Sequence, residues 1–250
     1  MTTTLGLPEA IQACLFDLDG VVTRTAVVHA AAWKEMFDAF LRARDGDGFR
    51  PFDAGDDYDE YVDGRPRADG VRAFLASRDI ELPEGAPDDP PDAQTVHGLG
   101  NRKNELLLEK IRTQGVQAYD GTLRYLEAAR ARGLRTAIVS SSANARDVLR
   151  SIGAEDLFDV RVDGVVAAER DLPGKPHPDT FLAAARDLGV EPAGAAVFED
   201  ALAGMDAGRS GNFGYVVGVD RVGQSDALYA HGADVVVKDL EDLLGQGGRA

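Results

Sequence analysis

Residues 13 to 20 read Ala13-Cys14-Leu15-Phe16-Asp17-Leu18-Asp19-Gly20. Four apolar side chains in a row, stopped by acids and a glycine, describe a short strand buried on both faces that ends in a tight turn. The runs Thr136 to Val139, Ala195 to Phe198, Tyr215 to Val219 and Val235 to Val237 have the same form. Between them lie helix-like stretches at Thr122 to Arg132, Ala143 to Ser151, Asp179 to Leu188 and Leu202 to Arg209, and Gly133, Gly153 and Gly189 stand where helix C-termini favour glycine. Strand alternating with helix predicts an α/β fold built on a doubly wound parallel sheet.

From about Ala26 to Lys110 the alternation stops. Helical patterns at Val27 to Leu41, Gly70 to Ser77 and Lys103 to Ile111 are separated by loops rich in Gly, Asp and Pro, such as Glu84-Gly85-Ala86-Pro87-Asp88-Asp89-Pro90-Pro91, and no strand pattern is seen. This predicts a helical domain inserted after the first strand, with a core of residues 1–25 and 111–250 and a cap of residues 26–110. At about 150 residues per domain, a chain of 250 residues accommodates such a division. The acidic stretch Asp53 to Glu60 reads as a solvated face.

The chain carries 27 Lys and Arg against 43 Asp and Glu, a formal net charge of -16, which argues against nucleic acid and anionic membrane as partners. An anionic ligand must then find its positive charge locally, from a few basic groups or a metal. Cys14 is the only cysteine and lies in an apolar run, where a buried, inert thiol is expected. The opening Met1 to Gly6 has neither the basic nor the long apolar stretch of a leader, and no window has the length of a membrane span, so a cytoplasmic protein is expected; separately, the chain is expected to act as a monomer on a small molecule.

In open parallel sheets, ligands sit beyond the carboxyl ends of the strands. The residues that follow successive apolar runs here are Asp17-Leu18-Asp19-Gly20, Ser140-Ser141-Ser142 and Glu199-Asp200, with Gly174-Lys175-Pro176 in the loop between the last two. Carboxylates gathered at one sheet edge repel each other unless a cation holds them, and hard oxygen donors suit Mg²⁺. With such an ion, Asp17 is placed to attack a phosphoryl group, and Asp19, two positions on, to protonate the leaving oxygen or deprotonate the incoming one. Ser140 and Lys175 would bind the phosphoryl oxygens. Each element also has a plainer reading: Asp-x-Asp-Gly as a turn or calcium loop, Ser142 as a helix N-cap, Lys175 as an exposed loop residue, Glu199-Asp200 as helix-opening acids. Their occurrence in order after successive strands is what favours chemistry.

Asp17-Leu18-Asp19-Gly20-Val21, Val139-Ser140-Ser141-Ser142, Lys175-Pro176 and Phe198-Glu199-Asp200 resemble the four motifs of the haloacid dehalogenase (HAD) superfamily over nearly the whole chain. The resemblance implies a Rossmann-like core with a helical cap, Asp17 as the phosphorylated nucleophile, Asp19 as general acid and base, and Mg²⁺ held by Asp17, the Asp19 carbonyl and Asp200 with Glu199 beside them. Phosphate and substrate contacts would come from Ser140, Ser141, Ser142, Asn144 and Lys175. Within the superfamily, His29, Trp33-Lys34, Val62-Asp63-Gly64-Arg65-Pro66-Arg67 and Asn101-Arg102-Lys103-Asn104 resemble the cap of the β-phosphoglucomutase subfamily. That likeness implies interconversion of β-glucose 1-phosphate and glucose 6-phosphate through β-glucose 1,6-bisphosphate, which also serves as activator. It further implies that His29 and Lys103 couple the cap to Asp19, that Trp33 lines the sugar pocket and that Arg67 grips the phosphate not being transferred.

Read from the residues alone, Trp33 with Phe37 and Phe40 is an apolar helix stripe, His29 a helix-surface residue and Arg67 a partner for Asp63 or Asp69. Three positions depart from the subfamily pattern. Arg24 stands where an acid is usual between two threonines, and Ala143 and Asp63 stand where lysines are usual. Loss of two cations points to the alternative, a sugar-phosphate phosphatase on the same core. A non-catalytic binding protein would have no need of nucleophile, lysine and metal acids together, and dehalogenation would not need the Glu199-Asp200 pair.

Overall fold

The computed structural model describes residues 4–245; Met1 to Thr3, part of the stretch read for a leader, lie outside the described residues. Six strands, β1 (Ala13–Phe16), β2 (Arg135–Val139), β3 (Val160–Val162), β4 (Ala195–Glu199), β5 (Tyr215–Val219) and β6 (Val235–Val237), form one sheet in the order β3-β2-β1-β4-β5-β6. Every pairing is parallel. β1 is central and buried along its length because its side chains meet apolar layers on both faces. The expected doubly wound α/β sheet is therefore present.

The helices are α1 (Ala26–Asp45), α2 (Arg67–Ser77), α3 (Val96–Gln114), α4 (Asp120–Ala131), α5 (Ala145–Ser151), α6 (Gly164–Glu169), α7 (Asp179–Leu188), α8 (Leu202–Ser210) and α9 (Ser225–Ala230). The chain forms two compact units, one holding the residues up to Arg24 and those from Gln117 onward, the other Thr25–Val116. The second unit has no strand among its described residues. No described helix is long and apolar enough to cross a membrane.

The sheet unit is built around Leu15, Val139, Val197 and Val216, covered by Phe181 and Leu188 of α7 and Met205 of α8. Cys14 is fully buried there, and burial pushes its thiol far above the ordinary range, in keeping with an inert role. The helical unit has its own core, in which Trp33, Phe37, Phe52 and Phe74 pack ring against ring. The acidic stretch departs from a uniformly solvated face. Asp53 is exposed and accepts from the amides of Gly55 and Asp56, but Asp57 is 5% exposed and pairs with Arg78 at 2.6 Å. A single π-helical turn, Tyr58–Val62, places Tyr58 and Val62 in the core and so draws Asp57, just before it, inward with them.

Candidate active site

β1 ends at Phe16, and the next amide, Asp17 N, continues the ladder by donating to Phe198 O at 2.9 Å, which fixes the Asp17 backbone against β4. The loop beyond is wound tightly: Val22 N and Thr23 N both donate to Leu18 O, and Gly20 N donates to Thr23 O at 2.7 Å. Gly20 has a φ of +91°, and a Cβ there would lie 1.7 Å from Asp200 Oδ2, so only glycine lets this turn close onto the β4 acids. Asp19, next to it, stays partly exposed.

Lys175, which precedes a cis peptide to Pro176, is 1% exposed. It is not the exposed loop residue of the plainer reading. Its ammonium donates to Asp17 Oδ1 at 2.5 Å, to Glu199 Oε1 at 2.5 Å and to Val139 O at 3.1 Å, so three donors meet three acceptors and the desolvated charge is compensated. Burial favours its neutral form, but Asp17 and Glu199 outweigh that and hold the ammonium well above its usual value. Burial, reinforced by Glu199 and Asp19, pushes the Asp17 carboxyl up against the pull of Lys175.

Asp17, Glu199 and Asp200 each offer a carboxylate oxygen, all within 4.8 Å of one another. One ammonium does not neutralise three buried carboxylates, and a hard divalent cation fits the all-oxygen donor set. The close approach of Gly20 to Asp200 keeps these acids together. Glu199 is the most committed of the three: Oε1 takes Lys175, and Oε2 accepts from the amides of Asp200 and Ala201 at 3.0 and 3.1 Å. That arrangement replaces the reading of Glu199-Asp200 as helix-opening acids, since α8 begins only at Leu202.

Ser140 is 2% exposed, and its Oγ accepts from Ser142 N at 3.1 Å, which leaves the hydroxyl proton to donate elsewhere. Ser142 Oγ accepts from Asn144 N at 3.2 Å and closes the loop before α5; the helix's N-cap residue is Asn144, so the N-cap reading of Ser142 is corrected. Ser141 and Asn144 are half-buried beside an exposed Ala143.

In the helical unit, Lys103 is 4% exposed, its Nζ 3.1 Å from His29 Nδ1 and 4.7 Å from the Trp33 ring centre. His29 is thus half-buried and hydrogen-bonded rather than a free surface residue. Trp33 lies in the aromatic core, stacked on Phe37 at 5.3 Å. Arg67 donates to Asn101 Oδ1 at 3.0 Å, whereas Asp69 pairs with Arg72, so the Asp69 partnership is corrected. Burial pulls the Arg67 guanidinium below its usual value.

Two contacts escaped the sequence reading: Arg221 donating to Gly20 O at 2.8 Å and Gln224 donating to Asp200 O at 3.0 Å. The signal existed, since Asp220-Arg221 directly follows the apolar run Tyr215 to Val219. This strand end lies beside the three that carry motifs, those of β1, β2 and β4.

Acids, serine and lysine set in this order along successive strand ends of a parallel sheet are how HAD-type phosphoryl-transfer enzymes are built, and the comparison with known families agrees. The model of haloacid dehalogenase-like hydrolases matches residues 11–212, and the chain belongs to that family. It is 58% identical over 246 residues to a β-phosphoglucomutase of Mycobacterium tuberculosis, covering 96% of this chain and 94% of that one. A β-phosphoglucomutase of Bacillus subtilis is 33% identical over 233 residues, covering 93% and 92%. Among solved structures, a β-phosphoglucomutase from Clostridium difficile aligns with a TM-score of 0.74 at 28% identity over 93% of both chains.

Proposed function

We propose that this chain is a Mg²⁺-dependent β-phosphoglucomutase that interconverts β-glucose 1-phosphate and glucose 6-phosphate. The observation that carries phosphoryl transfer is the buried Lys175 bridging Asp17 and Glu199, with Asp200 in the same cluster. Identity of 58% across nearly the full length of a β-phosphoglucomutase supports the choice of sugar and of mutase over hydrolase.

In this reading Asp17 Oδ attacks the phosphorus of β-glucose 1,6-bisphosphate, forming a carboxylate–phosphorus bond as the phosphorus–sugar oxygen bond breaks. Asp19 gives its proton to the departing oxygen, and in the return step takes the proton of the sugar hydroxyl that attacks the aspartyl-phosphate. Lys175 and the Ser140 hydroxyl bind the equatorial oxygens, with Ser141, Ser142 and Asn144 around them. Mg²⁺, held by Asp17, Asp200 and the Asp19 carbonyl, would supply charge neutralisation at the transferring group. On the helical unit, we assign Arg67 to the second phosphate and Lys103 and His29 to a positioning role, while Trp33, buried in the aromatic core, serves the packing of that unit and not the sugar. We take the enzyme to act as a cytoplasmic monomer on a small sugar phosphate, with the bisphosphate as activator.

A phosphatase is the second reading, because Ala143 and Asp63 replace two cations that a bisphosphate would use. Phosphorus NMR of the protein with Mg²⁺, β-glucose 1-phosphate and a trace of β-glucose 1,6-bisphosphate separates them. Glucose 6-phosphate without inorganic phosphate is the expected result, and inorganic phosphate as main product would replace the mutase by the phosphatase.

A further inference from the structure

The loop after β5 touches the catalytic strand ends although none of the four motifs lies in it. It is stiff in its own right: Asp220 N donates to Val237 O at 2.8 Å, Asp220 Oδ1 accepts from the amides of Gly223 and Gln224 at 2.6 and 2.8 Å, and Oδ2 accepts from Ser225 Oγ at 2.5 Å. From this platform Arg221 reaches out in three directions. Its Nε donates to Gly20 O at 2.8 Å, its Nη1 to Lys238 O at 2.7 Å and Asp239 Oδ2 at 3.3 Å, and its guanidinium lies 3.5 Å from the Tyr119 ring centre. Tyr119 is itself tied to the loop after β1 by its amide, which donates to Val22 O at 2.9 Å. Three residues further along, Gln224 Nε2 donates to Asp200 O at 3.0 Å.

One rigid loop therefore holds two backbone oxygens, at Gly20 and at Asp200, and these two residues are the ones packed against each other where a Cβ would collide with the Asp200 carboxylate. We propose that Arg221 and Gln224 are positioning residues that set the spacing between the Asp17-to-Gly20 turn and Asp200, and through it the geometry of the carboxylates that take the divalent cation. The proposal rests on the cation site of the preceding section. Neither residue is among the carboxylates that would hold the ion; each acts through the backbone of a residue that bears or adjoins one of them, in the way outer partners orient ligands at metal sites.

The test is calorimetric titration of metal-free protein with Mg²⁺ for wild type, Gln224→Met and Arg221→Met, together with melting of each protein in chelator. Gln224→Met removes one donor from a half-buried side chain, so it remains informative should loss of the Tyr119 stacking unfold Arg221→Met. The expected result is a Mg²⁺ dissociation constant raised about tenfold in Gln224→Met, with melting in chelator and KM for the sugar phosphate unchanged. A dissociation constant within about twofold of wild type in every folded variant, on the scale of an ordinary surface change, overturns the positioning role. Wild-type protein that takes up no Mg²⁺ overturns the cation site itself, and this inference with it.

Discussion

Replacing Lys175 by Met takes away the one ammonium between Asp17 and Glu199, both of which have almost no contact with water. An uncompensated buried charge costs about 3–5 kcal/mol. We expect Lys175→Met to lose that much in chemical denaturation and to lose phosphoryl transfer with it; a variant as stable as wild type would mean the acids are not both ionised around the lysine. Asp19 is less enclosed than these acids, being partly exposed in the turn after β1. Its variant Asp19→Ala should fail on sugar phosphates yet keep measurable turnover of an aryl phosphate whose leaving oxygen needs no proton, and equal loss on both would remove it from the acid–base role. At this scale the sequence was most legible, because Asp17, Glu199 and Asp200 sit at strand ends where apolar runs stop and Lys175 stands beside Pro176 in a loop between them. Their partners were not: that Glu199 spends both oxygens on Lys175 and two amides depends on the path of the chain after β4, which composition does not encode.

Element boundaries show what local pattern can and cannot carry. The strand β3 was missed because it is three residues long at the sheet edge, with Arg161 in its middle and only Val162 fully buried. The helices α6 and α9, six residues each, are too short for a 3.6-residue period to register. α3 begins at Val96 rather than Lys103; Gly98 and Gly100 lower its intrinsic propensity, but Thr95 caps it by accepting from Gly98 N at 2.9 Å, and Val96 and Leu99 are buried in the helical unit's core. Its run to Gln114 carries that unit to Val116, past the expected boundary at residue 110. Two elements hang on single acids. Asp57 ties the turn before Tyr58 to Arg78, where α2 ends, and Asp57→Ala should cost about 3 kcal/mol in urea unfolding, since it strands a buried guanidinium; a cost below about 1 kcal/mol would show the pair to be solvated. Asp220 is buried, which alone would raise its carboxyl, but donors from Ser225, Gln224 and Gly223 win and lower it. A lowered folded value stabilises above the ordinary carboxylate range and is lost as pH falls through it. Asp220→Ala should therefore lose about 2 kcal/mol at neutral pH, with the gap to wild type closing below about pH 4. A gap independent of pH would rule out the ionised form as its source.

For the whole molecule, a formal charge of -16 means that any salt will relieve some self-repulsion, so stabilisation by Mg²⁺ is informative only against a control. At a hundredfold excess over its dissociation constant, a bound ion adds about 2.7 kcal/mol. We expect Mg²⁺ to raise the melting temperature well beyond NaCl of equal ionic strength, and chelator to reverse it; equal shifts from the two salts would leave the acidic cluster without a specific ion. The division into two units was legible as a break in the strand–helix rhythm, since a helical pattern has no place in the strand ladder. Where the chain crosses between them it does so in one spot: Arg24 N donates to Gln117 O at 2.8 Å, and Thr23 pairs antiparallel with Ala118. The departing and returning strands thus stand side by side like the two legs of a hairpin, with Thr25–Val116 in place of its turn. The helical unit therefore hangs from a single point of the ladder: a change in the length of one of its loops, such as Glu84 to Pro91, leaves both of its attachments, at Arg24 and Gln117, side by side.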